Sequence, residues 1–282
     1  MSKFESSPNF YREEQQEMVD KAYARAQAIA LQNEIRPLDF ISLYTEDGVQ
    51  ADLNYVSRLE NQMERDNTPE DRERLRLSTI LECLLFEQGE QSEWFGPTAS
   101  TIKTSRFDDI ANGVDMLVEF EETPARLTHS AFAMDVTFST AAGAKFDKIK
   151  NRLKTGELAS IKYFCSAKSP FRGELSRIPL TVASAHPKTI YELTELWLEK
   201  DYTALSSHWI QFQILEELIE QGKIFAAYAA RQKQPQAAAS YAHVAALAEE
   251  IIKDKRGKVT DTGHRDDNFY PTLSNIKRVF ES

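Results

Sequence analysis

Two aspartates that lie inside short apolar runs are the residues of this chain best suited to chemistry. Asp115 lies in the run from Asn112 to Phe120, and Asp135 lies in the run from Ala131 to Phe138. An ionised carboxylate in a half-buried strand costs free energy unless it is paired, and a divalent cation shared by two carboxylates is one such partner. A metal site is therefore the first hypothesis. For Asp135, a loop cap or an ion pair with an arginine is the alternative.

The two runs have the composition of β-strands. Both are rich in Val, Phe and other apolar residues and are bounded by turn residues, which predicts neighbouring strands joined by a hairpin-sized connection around Pro124. Because side chains alternate between the faces of a strand, the bulky residues of the second run share a core face. The other face carries smaller residues and suits a site in a shallow cleft: Ala131, Ala133, Asp135 and Thr137.

A third acid lies upstream, in a segment with helical periodicity from Asp71 to Gln88. Thr68 followed by Pro69 predicts the start of this helix, with Thr68 as the cap and proline in the first turn. Glu82 is the acid within the most apolar part of the helix, so we expect it to face the interior of the protein. Glu87 is a reserve candidate, Asp108 is expected in a turn role, and the role of Asp109 stays open.

The order of these features resembles the PD-(D/E)xK nuclease superfamily over roughly residues 70–185. A helix with Glu82 is followed by a strand with Asp115, a strand with Asp135-Val136-Thr137 and a lysine-rich helix. The resemblance implies an α/β, restriction-endonuclease-like fold, in which a mixed sheet is flanked by helices. It also implies Mg²⁺ (or Mn²⁺) as the cofactor, held by Glu82, Asp115 and Asp135. The activity it implies is that of a metal-dependent endonuclease, a hydrolase acting on nucleic acid, with DNA favoured.

One position departs from the family pattern. Thr137 stands where the family has its lysine, and a threonine cannot supply the positive charge that stabilises a developing hydroxide and a pentacovalent phosphate. Because the family tolerates a lysine from a nearby element, the catalytic candidates include, in order of preference, Lys145, Lys148 and Lys162. The alternative is a catalytically degenerate nuclease fold that acts as a nucleic-acid-binding or protein-interaction scaffold. Active cleavage is favoured.

Positive charge is concentrated directly after the second strand. The whole chain has a net charge of −10, which argues against an avid nucleic-acid binder, yet residues 143–177 contain nine Lys or Arg against three acids. Such a window predicts contacts to a phosphate backbone without base specificity. A solvated amphipathic helix is the alternative for its first part. The nucleic-acid-binding candidates are Lys150, Arg152, Lys154, Lys162, Lys168 and Arg172.

Composition and patterning set the organisation of the chain. The 282 residues, 41% of them hydrophobic, predict a helical extension over 1–67, a nuclease-like α/β core over 68–185, C-terminal helices packed on the core over 186–254 and an irregular tail over 255–282. The C-terminal helices could also form a homodimer interface. Two cysteines, no signal peptide and no apolar run of bilayer length predict a cytoplasmic protein without a membrane partner.

Overall fold

The fold was analysed in a computed structural model that describes residues 8–121, 130–138 and 142–281. The six strands in this part of the chain are β1 (Ala99–Lys103), β2 (Met116–Phe120), β3 (Ser130–Phe138), β4 (Ala159–Cys165), β5 (Arg172–Ile178) and β6 (Leu180–Ala185). The α-helices are α1 (Pro8–Asn33), α2 (Ile41–Tyr44), α3 (Glu46–Asp66), α4 (Pro69–Gln91), α5 (Ala142–Thr155), α6 (Pro187–Glu199), α7 (Tyr202–Ser207), α8 (Ile210–Arg231), α9 (Pro235–Arg256) and α10 (Phe269–Glu281).

Four of the strands form one mixed sheet in the order β1-β2-β3-β6. The β1–β2 and β2–β3 pairs are antiparallel, and β6 is parallel to β3. Strands β4 and β5 form a separate antiparallel pair. The predicted mixed α/β class, with a small sheet flanked by helices, is confirmed, and so is the pairing of the two acid-bearing strands. The predicted turn around Pro124 lies outside the described residues.

Both faces of the sheet are covered by helices. Phe132 and Met134 of β3 pack in one core with α4, whereas Ala133 packs in a second core with Phe146 of α5 and Phe225 of α8. At Ala133 the small-residue face is therefore part of the core, and the shallow cleft predicted beside Asp135 stays a prediction. Because α5 and α8 lie on that face, Ala133 has no exposed surface.

The start of α4 follows the sequence prediction. The Thr68 hydroxyl accepts a hydrogen bond from the Asp71 backbone N–H at 3.2 Å, and the Asp71 carboxylate accepts one from the Thr68 N–H at 3.1 Å. Pro69 occupies the first turn, where its missing N–H costs nothing. The predicted helix and its cap are confirmed, and this start fixes the position of Glu82 on the helix.

The C-terminal tail differs from its prediction. Residues 269–281, expected to be irregular, form the helix α10, and Ile276 and Phe280 of this helix are buried in the core with Phe225. The rings of Phe225 and Phe280 are 4.5 Å apart between centroids. Gly257 and Gly263 lie before this helix, and Pro271 lies in its first turn, where proline is tolerated.

At the β6 edge of the sheet, side chains from neighbouring helices bond to the strand backbone in the place of a further strand. Alternate residues of β6 direct their backbone N–H and C=O groups away from β3, and polar side chains of α8 and α9 bond to them, as a protected sheet edge requires. Gln221 bonds to both groups of one residue, at 2.8 and 2.7 Å. The pairs are Tyr241 with Leu180 and Gln221 with Val182.

Candidate metal centre

The two aspartates lie at the same end of β2 and β3. A π-helical turn over Asp108–Asn112 ends at Gly113, which has φ +69°, and the chain then passes Asp115 and enters β2. The Asp115 carboxylate accepts a hydrogen bond from the Val136 N–H at 2.6 Å, so it takes the place of a backbone acceptor where the β2–β3 ladder ends. Both aspartates are only 8% exposed.

Lys145 of α5 is the lysine that contacts this pair. Its ammonium bonds to the Oδ1 atom of Asp135 and, at 3.0 Å, to the carbonyl oxygen of Val136. A carboxylate oxygen and a carbonyl oxygen thus share one positive charge. These are the oxygen types that hard divalent cations prefer in proteins.

Lys148 lies one turn further along α5 and approaches the backbone before β2. Its Nζ atom is 2.9 Å from the position that a Cβ atom would take on Gly113. Burial, and then repulsion by Arg152, lower the pKa of Lys148, while Asp135 acts in the opposite direction. Gly113 is needed here both for its left-handed backbone conformation and for this close approach.

Glu82 is paired with a lysine, and its role as a third ligand stays a prediction. Its carboxylate is bonded to Lys103 of β1, and the same ammonium is 3.3 Å from the backbone oxygen of Asp115. Across residues 8–121, 130–138 and 142–281, no three His, Cys, Asp or Glu side chains are grouped so that they could hold a metal ion. Two lysine–acid pairs lie on either side of Asp115.

Burial and like charge dominate the electrostatics of the site. Burial, followed by repulsion from Glu82 and Asp135, raises the pKa of Asp115 well above its usual range. The pKa of Asp135 is also raised by burial, against the opposing effect of Lys145. The same holds for the pKa of Glu82, with Lys103 as the opposing group. Such a site gains from any additional cation.

Thr137 is buried two residues after Asp135 and lies beside Ser184 of β6. Its place in the site stays a prediction. A hydroxyl in this position supplies no positive charge. Asp109 pairs with Arg106 and lies close enough to raise the pKa values of Asp115 and Asp135. It therefore belongs to the electrostatic surroundings of the aspartates.

Lys162 has a different acid as its partner, and its place among the lysines of the site stays a prediction. Its ammonium bonds to Asp52 of α3 and lies 5.1 to 5.4 Å from the ring centroids of Tyr44, Phe107 and Tyr163. The cation is held by a carboxylate and by three aromatic faces, a stable arrangement for a partly desolvated lysine.

The basic residues after β3 do not form one uniform surface. The Lys150 ammonium donates to the carbonyl oxygen of Val279 at 2.5 Å, and Arg152 donates to that of Asn112 at 3.2 Å. The Arg172 guanidinium lies 4.7 Å from the centre of the Phe40 ring but remains exposed, as do Lys154 and Lys168. The role of these residues in nucleic-acid binding stays a prediction, with the exposed three best placed for it.

Two buried acids near the site have structural partners that the sequence did not indicate. Asp108 accepts hydrogen bonds from the backbone N–H groups of Lys162 and Tyr163, at 2.7 and 3.1 Å, and so fastens the turn before β2 to β4. Glu119, inside β2, accepts from the Ser166 hydroxyl at 2.6 Å and the Ala167 N–H at 2.8 Å. As a lone acid near the end of an apolar strand, Glu119 has the same sequence signature as Asp115.

Comparison of the chain with protein-family models, with curated proteins and with solved structures gave no significant match. Among the helices of the described residues, none combines the length and the apolar character needed to cross a membrane. The function is therefore inferred from the geometry of the site.

Proposed function

We propose that this protein is a Mg²⁺-dependent hydrolase of phosphodiester bonds in nucleic acid, with DNA as the favoured substrate, and that its fold is restriction-endonuclease-like. The observation that carries the proposal is the buried pair Asp115 and Asp135, on adjacent strands, with Lys145 bonded to one of them. The strand with Asp135 has Thr137 in place of a lysine. Lys145, from the helix that follows this strand, bonds to Asp135 instead.

The order of elements supports the same proposal. The helix α4 is followed by three consecutive antiparallel strands, the helix α5 and, after the β4–β5 pair, a strand parallel to β3. The strand with Asp135 is therefore an inner strand of a mixed sheet with helices on both faces. This arrangement agrees with the order of helix, acid-bearing strands and basic helix on which the resemblance rests.

The donor set fits a hard divalent cation. The Asp135 carboxylate and the Val136 carbonyl already bond to one cation, the ammonium of Lys145. Burial, followed by repulsion from Glu82 and Asp135, raises the pKa of Asp115. Asp115, Asp135 and the Val136 carbonyl would hold Mg²⁺, with Glu82 available only if it leaves Lys103. Magnesium held by these oxygens would supply a bound water of lowered pKa and a Lewis acid for a phosphoryl oxygen.

The protein's own groups have separate tasks in this proposal. Lys145 supplies the positive charge that stabilises the charge developing on the attacked phosphate. Lys148, one turn away and held near Gly113, adds a second positive charge on the same side. Asp115 keeps β2 and β3 aligned through the Val136 N–H, so that the oxygens keep their places.

A second candidate function is a catalytically degenerate scaffold that binds nucleic acid or another protein. The observation in its favour is that Glu82 and Asp135 are already neutralised by Lys103 and Lys145. Acids satisfied in this way need no metal, and the core would remain stable without one. The two candidates differ in whether a divalent cation binds at Asp135.

Cleavage assays with matched variants test the proposal. Linear, single-stranded and branched DNA and RNA are incubated with wild-type protein, Asp135→Asn and Asp147→Asn, in Mg²⁺, in Mn²⁺ and in EDTA. Asp147 is an exposed acid of α5, so its variant has the same change in charge away from the site. We expect metal-dependent cleavage that Asp135→Asn lowers at least about 100-fold, a loss of roughly 2.7 kcal/mol, and that Asp147→Asn retains. Equal cleavage by all three proteins would point to a contaminating nuclease, and no cleavage by the wild type would favour the scaffold.

A further inference from the structure

A cavity of about 400 Å³ lies between α1, α4, β1 and the π-helical turn. Its walls are largely apolar and include Tyr23, Ile29 and Phe86. Leu31 and Leu75 also line it and are 73% and 44% exposed, so the cavity is open to solvent on their side. Its volume falls within the range of small-molecule sites in proteins.

The polar end of the cavity is acidic. Four acids (Glu34, Glu60, Glu82 and Asp109) and two bases (Lys103 and Arg106) line it. Lys103 is bonded to Glu82, and Arg106 is bonded to both Glu60 and Asp109. Among the described residues, the Glu34 carboxylate has neither a hydrogen bond nor an ion pair, and it is the one charged group in this wall without a partner.

The position of Glu34 adds to the negative potential. It follows the last residue of α1, whose final turn contains no basic side chain. The carboxyl end of a helix carries a partial negative charge, so a carboxylate placed there is unfavourable until a cation arrives. In keeping with this, burial raises the pKa of Glu34, with the nearby Lys103 and Arg106 opposing it.

We propose that this cavity binds a small organic cation, a protonated amine with an aromatic or aliphatic body. The ammonium pairs with Glu34 at the carboxyl end of α1, and the body packs against the apolar wall of α1 and α4. A phosphate or carboxylate is disfavoured, because the acids outnumber the bases and both bases are already paired. The cavity adjoins the Asp115–Asp135 pair, because Glu82, Lys103 and Asp109 line it, but its occupation requires neither a metal nor a nucleic acid.

A charge-matched ligand series tests the site. Phenethylamine, 2-phenylethanol and 3-phenylpropionate have similar bodies and carry positive, zero and negative charge at neutral pH. Binding to the full chain is measured by calorimetry and by NMR shifts of Ile29 and Leu31 in EDTA. We expect the amine to bind at least about tenfold more tightly than the alcohol, which corresponds to 1.4 kcal/mol, and the carboxylate not to bind.

Variants then locate the cation. Glu34→Gln keeps the shape of the side chain and should lower the amine affinity at least about tenfold while leaving that of the alcohol unchanged. Glu14→Gln, on the exposed part of the same helix, is the control with the same change in charge. Ala30→Trp, which fills the cavity, should abolish binding of both ligands, with melting curves to establish that each variant folds.

Three results would overturn the inference: no binding of the amine to the wild type at millimolar concentration, equal affinities for the three ligands, or an unchanged amine affinity in Glu34→Gln. None of these results bears on the proposed hydrolase, because the titrations contain no metal and no nucleic acid. Conversely, a failure to cleave nucleic acid leaves the amine site unaffected.

Discussion

Asp115 and Asp135 are both buried, but their carboxylates are compensated in different ways. Asp135 has the ammonium of Lys145 as a partner, whereas Asp115 accepts a neutral backbone N–H and faces two other acids. Removing the negative charge should therefore relieve repulsion at Asp115 and leave a cation unpaired at Asp135.

For Asp115 this gives a prediction about pH. Because its pKa is raised in the folded protein, the native state retains a proton that the unfolded chain releases. The unfolding free energy therefore falls as the pH rises from the usual aspartate range through the raised pKa.

Asp115→Asn keeps an acceptor for the Val136 N–H and should flatten this fall, so that the variant is the more stable protein at pH 7 in EDTA. Urea unfolding from pH 4 to 8 measures it, with Asp147→Asn as control. Parallel curves for wild type and Asp115→Asn would contradict the prediction.

Lys145 gives a second prediction at the scale of a residue. Its ammonium bonds to the oxygens that would hold a divalent cation, so it competes with that cation. Lys145→Met should raise the affinity for Mn²⁺, by about tenfold if the competition costs roughly 1.4 kcal/mol, and yet lower cleavage by about 100-fold because charge stabilisation is lost.

Manganese binding followed by electron paramagnetic resonance, together with the cleavage assay, measures both effects of Lys145→Met. Lys154→Met, an exposed lysine of the same helix, is the control. A variant with weaker Mn²⁺ binding than the wild type would show that Lys145 does not occupy the cation position.

Between elements, the contact of α8 with α9 depends on a glycine. A Cβ atom on Gly222 would lie 2.8 Å from the backbone oxygen of Tyr241 and 2.9 Å from the Cβ atom of Ala245. The backbones of the two helices are therefore close to van der Waals contact at this position. The same packing holds Tyr241 and Gln221 against the edge of β6.

Gly222→Ala should consequently destabilise the protein, although alanine is the better helix former by about 1 kcal/mol. We expect a loss of roughly 1 to 3 kcal/mol in unfolding free energy, the usual cost of overpacking. Gly143→Ala in α5, where the nearest atom is the Asn275 side-chain nitrogen at 3.4 Å, is the control and should be neutral or better. Chemical denaturation measures both, and a stabilised Gly222→Ala protein would mean that α8 and α9 are not this close.

At the scale of the whole molecule, the net charge of −10 limits where a nucleic acid can bind. Several of the basic residues after β3 are used in internal contacts, with Lys162 against α3 and Lys150 against the C-terminal helix. A phosphate backbone would therefore meet chiefly the exposed residues of this window together with Lys148 beside the site.

Replacement of Lys154, Lys168 and Arg172 by glutamine should weaken binding to all nucleic-acid sequences about equally. The slope of log affinity against log salt should become shallower by roughly 0.9 for each phosphate of duplex DNA that the variant no longer neutralises. Titrations of labelled duplex at several salt concentrations measure this. The control replaces three exposed lysines elsewhere, Lys188, Lys253 and Lys258. Identical slopes for the two triple variants would show that a phosphate backbone does not bind at this surface.

Some helices and strands could be predicted from patterns that involve only neighbouring residues in the sequence. The cap at Thr68, the periodicity of α4 and the apolar runs of β2 and β3 predict these elements because capping, helical period and strand alternation depend on neighbours in sequence. The strands β1 and β5 were not predicted, because their polar and short sequences become strands only through pairing with β2 and β4.

The sequence by itself determined the mixed α/β class and the adjacency of the two acid-bearing strands. It also indicated that the acids in these strands need partners, since burying a carboxylate in an apolar strand requires one wherever the strand packs. The tertiary structure decided which partner each charge has: Lys145 for Asp135, Lys103 for Glu82, Asp52 for Lys162 and the loop after β4 for Glu119. Ion pairs form between residues up to 110 positions apart along this chain, as between Asp52 and Lys162. Their choice depends on which helices and strands pack together, and that is a property of the whole fold.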